Sequence, residues 1–175
     1  EPTADLRNLV WCSIDNDDSR DLDQLTVAEP AGSNTTKILV AIADVDAIVK
    51  KFSAIDEHAG QNTTSVYTAA VTFPMLPEQL CYDLTSLNPG RDRLAVVVEM
   101  TFDGDGRLRG SAIRRALVRN HAKLAYNSVA AWLDDPQRVA ALVDTFTRIH
   151  DELRCGASER AAAAVLRLID GVEGG

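Results

Sequence analysis

Apolar residues in the early part of the chain fall in short runs separated by turn-forming residues. Leu9 to Ile14 is one such run, and it ends at an acidic turn. Leu25 to Ala28 and Ile38 to Ala43 are two more, both rich in branched residues. Gly32-Ser33-Asn34 lies between them, so the pair predicts a hairpin. Leu94 to Phe102 is the clearest strand, and Asp103-Gly104-Asp105-Gly106 turns it back into a partner over Leu108 to Val118. From Gly60 to Gly90 there is little periodicity, and Pro74, Pro77 and Pro89 punctuate the stretch. Val66, Phe73, Met75, Leu76 and Leu80 keep it apolar enough to predict an ordered surface loop. The period then changes. Lys123 to Leu133 places Leu124, Val129 and Trp132 near helical spacing. Val139 to Arg154 repeats Leu142, Val143, Phe146, Ile149 and Leu153 as an amphipathic helix, and Ser158 to Ile169 predicts a third helix stopped by Gly171. The fold class expected is α+β: a strand-rich first half with a mixed, largely antiparallel sheet, followed by amphipathic helices.

Composition narrows the class without naming a function. An apolar share of 46% and a charged share of 25% over 175 residues fit one soluble domain and exclude a disordered or fibrous chain. No apolar run approaches the ~20 residues of a membrane helix, so no membrane is expected among its partners. Glu1-Pro2-Thr3-Ala4-Asp5 has neither a basic start nor an apolar stretch, so no secretory signal is expected there, and a start at Glu1 without a methionine reads as a domain boundary. Cys12, Cys81 and Cys155 are widely spaced with no Cys-x-x-Cys pair, which predicts buried reduced thiols in a cytoplasmic protein. The net charge of -8, with a pI near 4.8, taken alone argues against a nucleic-acid partner.

Residues 15 to 24 read Asp-Asn-Asp-Asp-Ser-Arg-Asp-Leu-Asp-Gln between two apolar runs. Carboxylates crowded in this way repel one another unless a cation or proton neutralises them. A solvated acidic turn is the plain reading. A calcium loop fails, because Arg20 stands where glycine is needed and Thr26 where a bidentate glutamate is needed. A phosphoryl-transfer site is the third reading, with aspartates holding Mg²⁺ while another carboxylate orients or deprotonates water. Spacing alone does not choose among them.

Ser13-Ile14-Asp15 followed by Arg20-Asp21-Leu22-Asp23 resembles the acidic loop of the ribonuclease II-type (RNB) exoribonuclease family. Val40 to Val45, Thr64-Ser65-Val66-Tyr67, Phe73 to Leu80, Ser86-Leu87-Asn88-Pro89-Gly90 with Asp92-Arg93-Leu94-Ala95, and Ala122 to Tyr126 resemble further family segments, in the family's order. The resemblance implies a Mg²⁺-dependent hydrolase, with Mn²⁺ as a substitute. Such an enzyme degrades single-stranded RNA from the 3′ end and releases 5′-nucleoside monophosphates. It implies that Asp15 and Asp21 hold the metal or its shell. Asp23, aided by Asp21, would carry the chemical step, and Tyr67 would pack against the terminal nucleotide. The family usually has a fourth aspartate where Gln24 stands; a glutamine still offers a carbonyl oxygen to a hard cation.

The resemblance also implies that residues 1–175 are the N-terminal portion of a catalytic domain about twice as long. The partners expected are single-stranded RNA, the remaining half of that domain, which brings an arginine for the scissile phosphate, and flanking oligonucleotide-binding domains. Those parts would carry the missing basic footprint, and the chain alone would be inactive. Gln24 keeps a second reading alive, a catalytically silent module that binds RNA or a partner. Arg20, Arg91 and Arg93 are each candidates for a phosphate contact or a surface ion pair alike. Asp44 is expected to cap a turn rather than bind metal.

Overall fold

A computed structural model describes residues 3–68 and 70–133. The helices expected over 139–154 and 158–169, and Cys155, lie outside the described residues. The strands are β1 (Ala4–Asp5), β2 (Cys12–Asp15), β3 (Gln24–Gly32), β4 (Thr35–Ala43), β5 (Val66–Tyr67), β6 (Thr72–Phe73), β7 (Asp92–Asp103), β8 (Leu108–Arg119) and β9 (Ala122–Ala125). Two helices are described, α1 (Ala54–Asn62) and α2 (Tyr126–Trp132). A 3-10 turn spans Val45–Ala47 and a π-type turn spans Leu80–Leu84.

Seven strands form one sheet in the order β1-β8-β7-β4-β3-β2-β9, and β5 and β6 make a separate ribbon. The inner pairs are antiparallel, while β1 on β8 and β9 on β2 are parallel. The sheet is therefore mixed and largely antiparallel, as the run-and-turn pattern predicts. The β3–β4 hairpin turns at Gly32, Ser33 and Asn34, where Asn34 takes the left-handed conformation (φ 64°) that asparagine tolerates.

Side chains alternate across a strand, so one face of the sheet collects the branched residues. Leu25 lies opposite Ala41, Ala41 opposite Val97, Val27 opposite Leu39, and Ala95 opposite Ala116; all are buried. Trp11, Leu22 and Leu87, from segments outside the strands, complete this core. Trp11 is fully buried, and its indole N–H donates to the Leu6 carbonyl at 2.8 Å.

Three local expectations need correction. Lys123 to Ala125 is strand, not helix, because the edge of β2 offers backbone partners from Cys12 through Asp15; the helix begins only at Tyr126. The stretch from Gly60 to Gly90 is not irregular throughout, since it holds the end of α1, the β5–β6 ribbon and the π-type turn. Cys12 and Cys81 are free but half-buried rather than enclosed, and burial pushes both thiols up. Helix α1 carries a start signal of its own. Ser53 accepts from the Asp56 N–H at 3.3 Å while the Asp56 carboxylate accepts from the Phe52 N–H at 2.7 Å. Among the described residues no helix is long and apolar enough to cross a membrane.

Asp92 ties the start of β7 to the end of β8 and to the segment after β1, accepting from Arg119 Nε at 2.6 Å and Arg7 Nη1 at 2.9 Å. The two guanidiniums, Arg119 first, hold its carboxyl below the usual carboxylate range. A depressed native pKa means that the unfolded chain binds more protons, so this stabilisation is present above the unfolded value of about 4 and is lost as pH falls through the native one. The cluster is still about a third open to solvent, which screens it, so the effect is modest. Asp92→Asn is expected to make the thermal midpoint less sensitive to acidification below about pH 5. Midpoint-versus-pH curves of equal slope for the two proteins would contradict this.

Candidate active site

The acidic residues sit where β2 ends and β3 begins, because Asp15 closes one strand and Gln24 opens the next. The intervening loop is pinned from several sides. Leu22 is buried as an apolar peg between Asp21 and Asp23. Its N–H donates to Ser86 Oγ at 3.0 Å, Ser86 Oγ donates to the Arg20 carbonyl at 2.8 Å, and the Leu87 N–H donates to the Leu22 carbonyl at 2.8 Å. The Ala43 N–H donates to the Asp23 carbonyl at 2.9 Å. Lys123, on β9, donates through Nζ to the carbonyls of Asp17 at 2.7 Å and Ser19 at 2.8 Å. Backbone on both sides of Asp21 is thereby fixed by residues far away in the chain. Ser86 owes its own position to a buried network, in which Arg93 Nε donates to its carbonyl at 3.0 Å.

These anchors open an indentation of about 650 Å³ lined by Asp15, Asp18, Asp21, Asp23, Tyr67 and Glu78, with Arg20 and Tyr82 also on its wall. The structure thus brings together Asp15, Asp21, Asp23 and Tyr67. Gln24 is exposed and stands outside the lining. Asp17 also lies outside it. Glu78 and Tyr82 carry no signal in the sequence beyond their place in and after the Phe73 to Leu80 segment; Tyr82 reaches the site on the π-type turn Leu80–Leu84, and Glu78 from the residues just before it. Asp44 takes the N-cap position of the Val45–Ala47 turn, as expected, but its side chain makes no capping hydrogen bond. Its carboxylate is buried and pairs with Arg115 Nε at 2.9 Å.

Asp23 still reaches solvent, yet the protein around it excludes enough water to push its carboxyl up, and Asp15 and Asp21 push the same way. The Tyr67 hydroxyl donates to Asp21 Oδ2, and that bond, before the partial burial, pushes the phenol up to about 12. Tyr67 is otherwise 65% exposed, so a ring face is open to a ligand. Five carboxylates against one guanidinium leave the cavity strongly negative.

Among the described residues no three His, Cys, Asp or Glu side chains gather tightly enough to enclose a metal on their own. The donor set nevertheless suits a hydrated hard cation. Magnesium is typically held by one or two carboxylates and keeps several waters, to be exchanged for phosphate oxygens. The mutual repulsion felt at Asp23 is the strain that such a cation relieves.

A family model for the RNB domain matches residues 3–168. Ribonuclease R of Escherichia coli (strain K12) is 38% identical over 152 residues, covering 85% of this chain and 19% of that protein. Mycoplasma genitalium RNase R in complex with double-stranded RNA superposes with a TM-score of 0.72 at 32% identity, over 82% of this chain and 26% of that one. Yeast Ssd1, a pseudonuclease, shares the fold with a TM-score of 0.69 at 16% identity, over 76% of this chain and 17% of its own. The chain spans about a fifth of the length of the curated relatives it matches. With its acidic loop, its sheet and a family match over nearly all its residues, the chain belongs to the RNB domain family.

Proposed function

We propose that this chain is the metal-binding, N-terminal portion of the catalytic domain of a hydrolytic exoribonuclease. The enzyme shortens single-stranded RNA from its 3′ end and releases 5′-nucleoside monophosphates. The observation that carries the reading is the convergence of Asp15, Asp21, Asp23 and Tyr67 on one cavity. The 38% identity to Ribonuclease R supports it. Asp15 and Asp21 hold Mg²⁺, or Mn²⁺ in its place; Gln24, outside the lining, is not needed in that set. The cation supplies charge neutralisation at the phosphate oxygens.

The chain's own residues do the rest. Asp23 binds a proton more readily than an ordinary carboxylate, which suits a group that takes one from the attacking water. Tyr67 presents a ring face to the terminal base, and stacking of this kind tolerates any base. Its hydroxyl bond to Asp21 couples the stacked nucleotide to the acidic loop. The arginine expected from the later half of the domain would complete the grip on the scissile phosphate, so residues 1–175 alone would be inactive. The assembled enzyme would work in the cytoplasm with flanking oligonucleotide-binding domains collecting RNA.

The test uses the full-length protein, 5′-labelled single-stranded RNA and Mg²⁺. A ladder closing on a short end product is expected. Without any Mg²⁺-dependent shortening, the silent RNA- or partner-binding module stands instead, a reading favoured by Gln24.

A further inference from the structure

We propose that Arg20, stacked on Tyr82, is a phosphate-gripping residue that holds a backbone phosphodiester of the RNA strand at the mouth of the acidic cavity. This rests on the nuclease reading above. RNA is a polyanion, and the wall it must approach carries Asp15, Asp18, Asp21, Asp23 and Glu78. Arg20 is the one basic side chain among the residues lining that wall. Its guanidinium carbon lies 4.6 Å from the centroid of the Tyr82 ring. Stacking fixes the guanidinium plane but leaves its N–H edge free, and that edge matches two phosphate oxygens side by side.

Arg93, an equal candidate by sequence, is committed elsewhere. Its Nη2 donates to the Asp83 carboxylate at 3.1 Å and the Asp83 carbonyl at 2.9 Å, and its Nε to the Ser86 carbonyl at 3.0 Å. Among the described residues the Arg20 side chain has only the ring of Tyr82 as its partner.

The stack is supported from beneath by one short segment. Ser86 Oγ donates to the Arg20 carbonyl at 2.8 Å, and Asn88 Nδ2 donates to the Tyr82 carbonyl at 3.0 Å. Tyr82 itself stands in the π-type turn Leu80–Leu84, an uncommon backbone form often found at functional sites. Both backbones are thus held by the protein itself, so little ordering cost falls on binding.

The test uses the full-length protein carrying Asp23→Asn, so that a labelled oligoadenylate is bound but not consumed. Adding Arg20→Gln is expected to raise the Kd about tenfold near 0.1 M salt. It should also lower the slope of log affinity against log salt by about 0.7, the value for one single-strand phosphate. Arg20→Lys keeps the charge and should keep the slope, and Tyr82→Leu should raise the Kd with the slope unchanged. Oligonucleotides with one methylphosphonate linkage each then locate the contact. At one linkage, neutralisation should weaken the Arg20 protein and leave Arg20→Gln indifferent. An unchanged slope with no such linkage overturns the proposal. Failure of the Asp23→Asn protein itself to bind RNA overturns the nuclease reading instead.

Discussion

Asp23→Asn is expected to slow RNA turnover by about a hundredfold to ten-thousandfold, the range for losing a positioned proton-transfer group. The same change should raise the thermal midpoint of the metal-free protein. The two effects have one cause. Asp23 sits where partial burial and the charges of Asp15 and Asp21 all disfavour its ionised form. Removing that charge relieves repulsion among carboxylates that line one cavity. Active sites commonly carry such a conflict between stability and activity. Asparagine keeps the shape and one acceptor, so the loss of turnover reports chemistry rather than folding. Melting curves with and without Mg²⁺ give a readout independent of turnover: the variant should gain less from the ion. A lower midpoint for metal-free Asp23→Asn would show that the carboxylate is stabilised in place, and the strained-site account would fail.

Trp11→Ala is expected to cost about 3–5 kcal/mol of stability, as for large-to-small changes in packed cores. Trp11 is fully buried against the cluster that includes Leu22, Leu25 and Leu87. Truncation leaves a cavity and also strips the Leu6 carbonyl of its indole donor. Trp11→Phe retains most of the volume but loses that bond and a little packing, so it should cost about 1–3 kcal/mol. The Trp11 carbonyl accepts from the His121 N–H at 2.9 Å, just before β9 lies down beside β2. Chemical denaturation of the three proteins checks the order. Equal midpoints for Trp11→Ala and the parent would mean that the core closes without it.

Local pattern makes most of the sheet legible. The runs at 25–28, 38–43, 94–102 and 108–118 alternate or branch, and polar turns separate them, so the pattern alone places β3, β4, β7 and β8. Of their pairings, β3 with β4 and β7 with β8 are hairpins that local turn chemistry helps to specify, whereas β4 on β7 joins strands far apart in the chain. β9 reads as helix in the sequence because Leu124 fits the spacing of the helix that follows. Its strand form comes from parallel pairing with β2, a partner more than a hundred positions away. No periodicity within a short window reports such a partner. Helix α1 differs, because Ser53 and Asp56 form a local start signal although the helix has no strong apolar stripe to announce it.

The site divides in the same way. The density of aspartates between 15 and 23 is visible in the sequence because those residues are neighbours along the chain, and the family resemblance adds Tyr67. That density alone still allows a solvated turn, and the family resemblance is what turns it into a candidate metal site. Neither says which carboxylates share a cavity. The tertiary structure keeps Asp15, Asp18, Asp21 and Asp23, adds Glu78, and leaves Asp17 and Gln24 outside the lining. It also separates Arg20, stacked on Tyr82, from Arg93, tied to Asp83 and Ser86. Sequence determined the strand pattern and the concentration of charge, since both are properties of adjacent residues. Tertiary structure decided how the charge is aimed, because the anchors that aim it, Ser86, Leu87 and Lys123, come from distant segments joined to the site by hydrogen bonds.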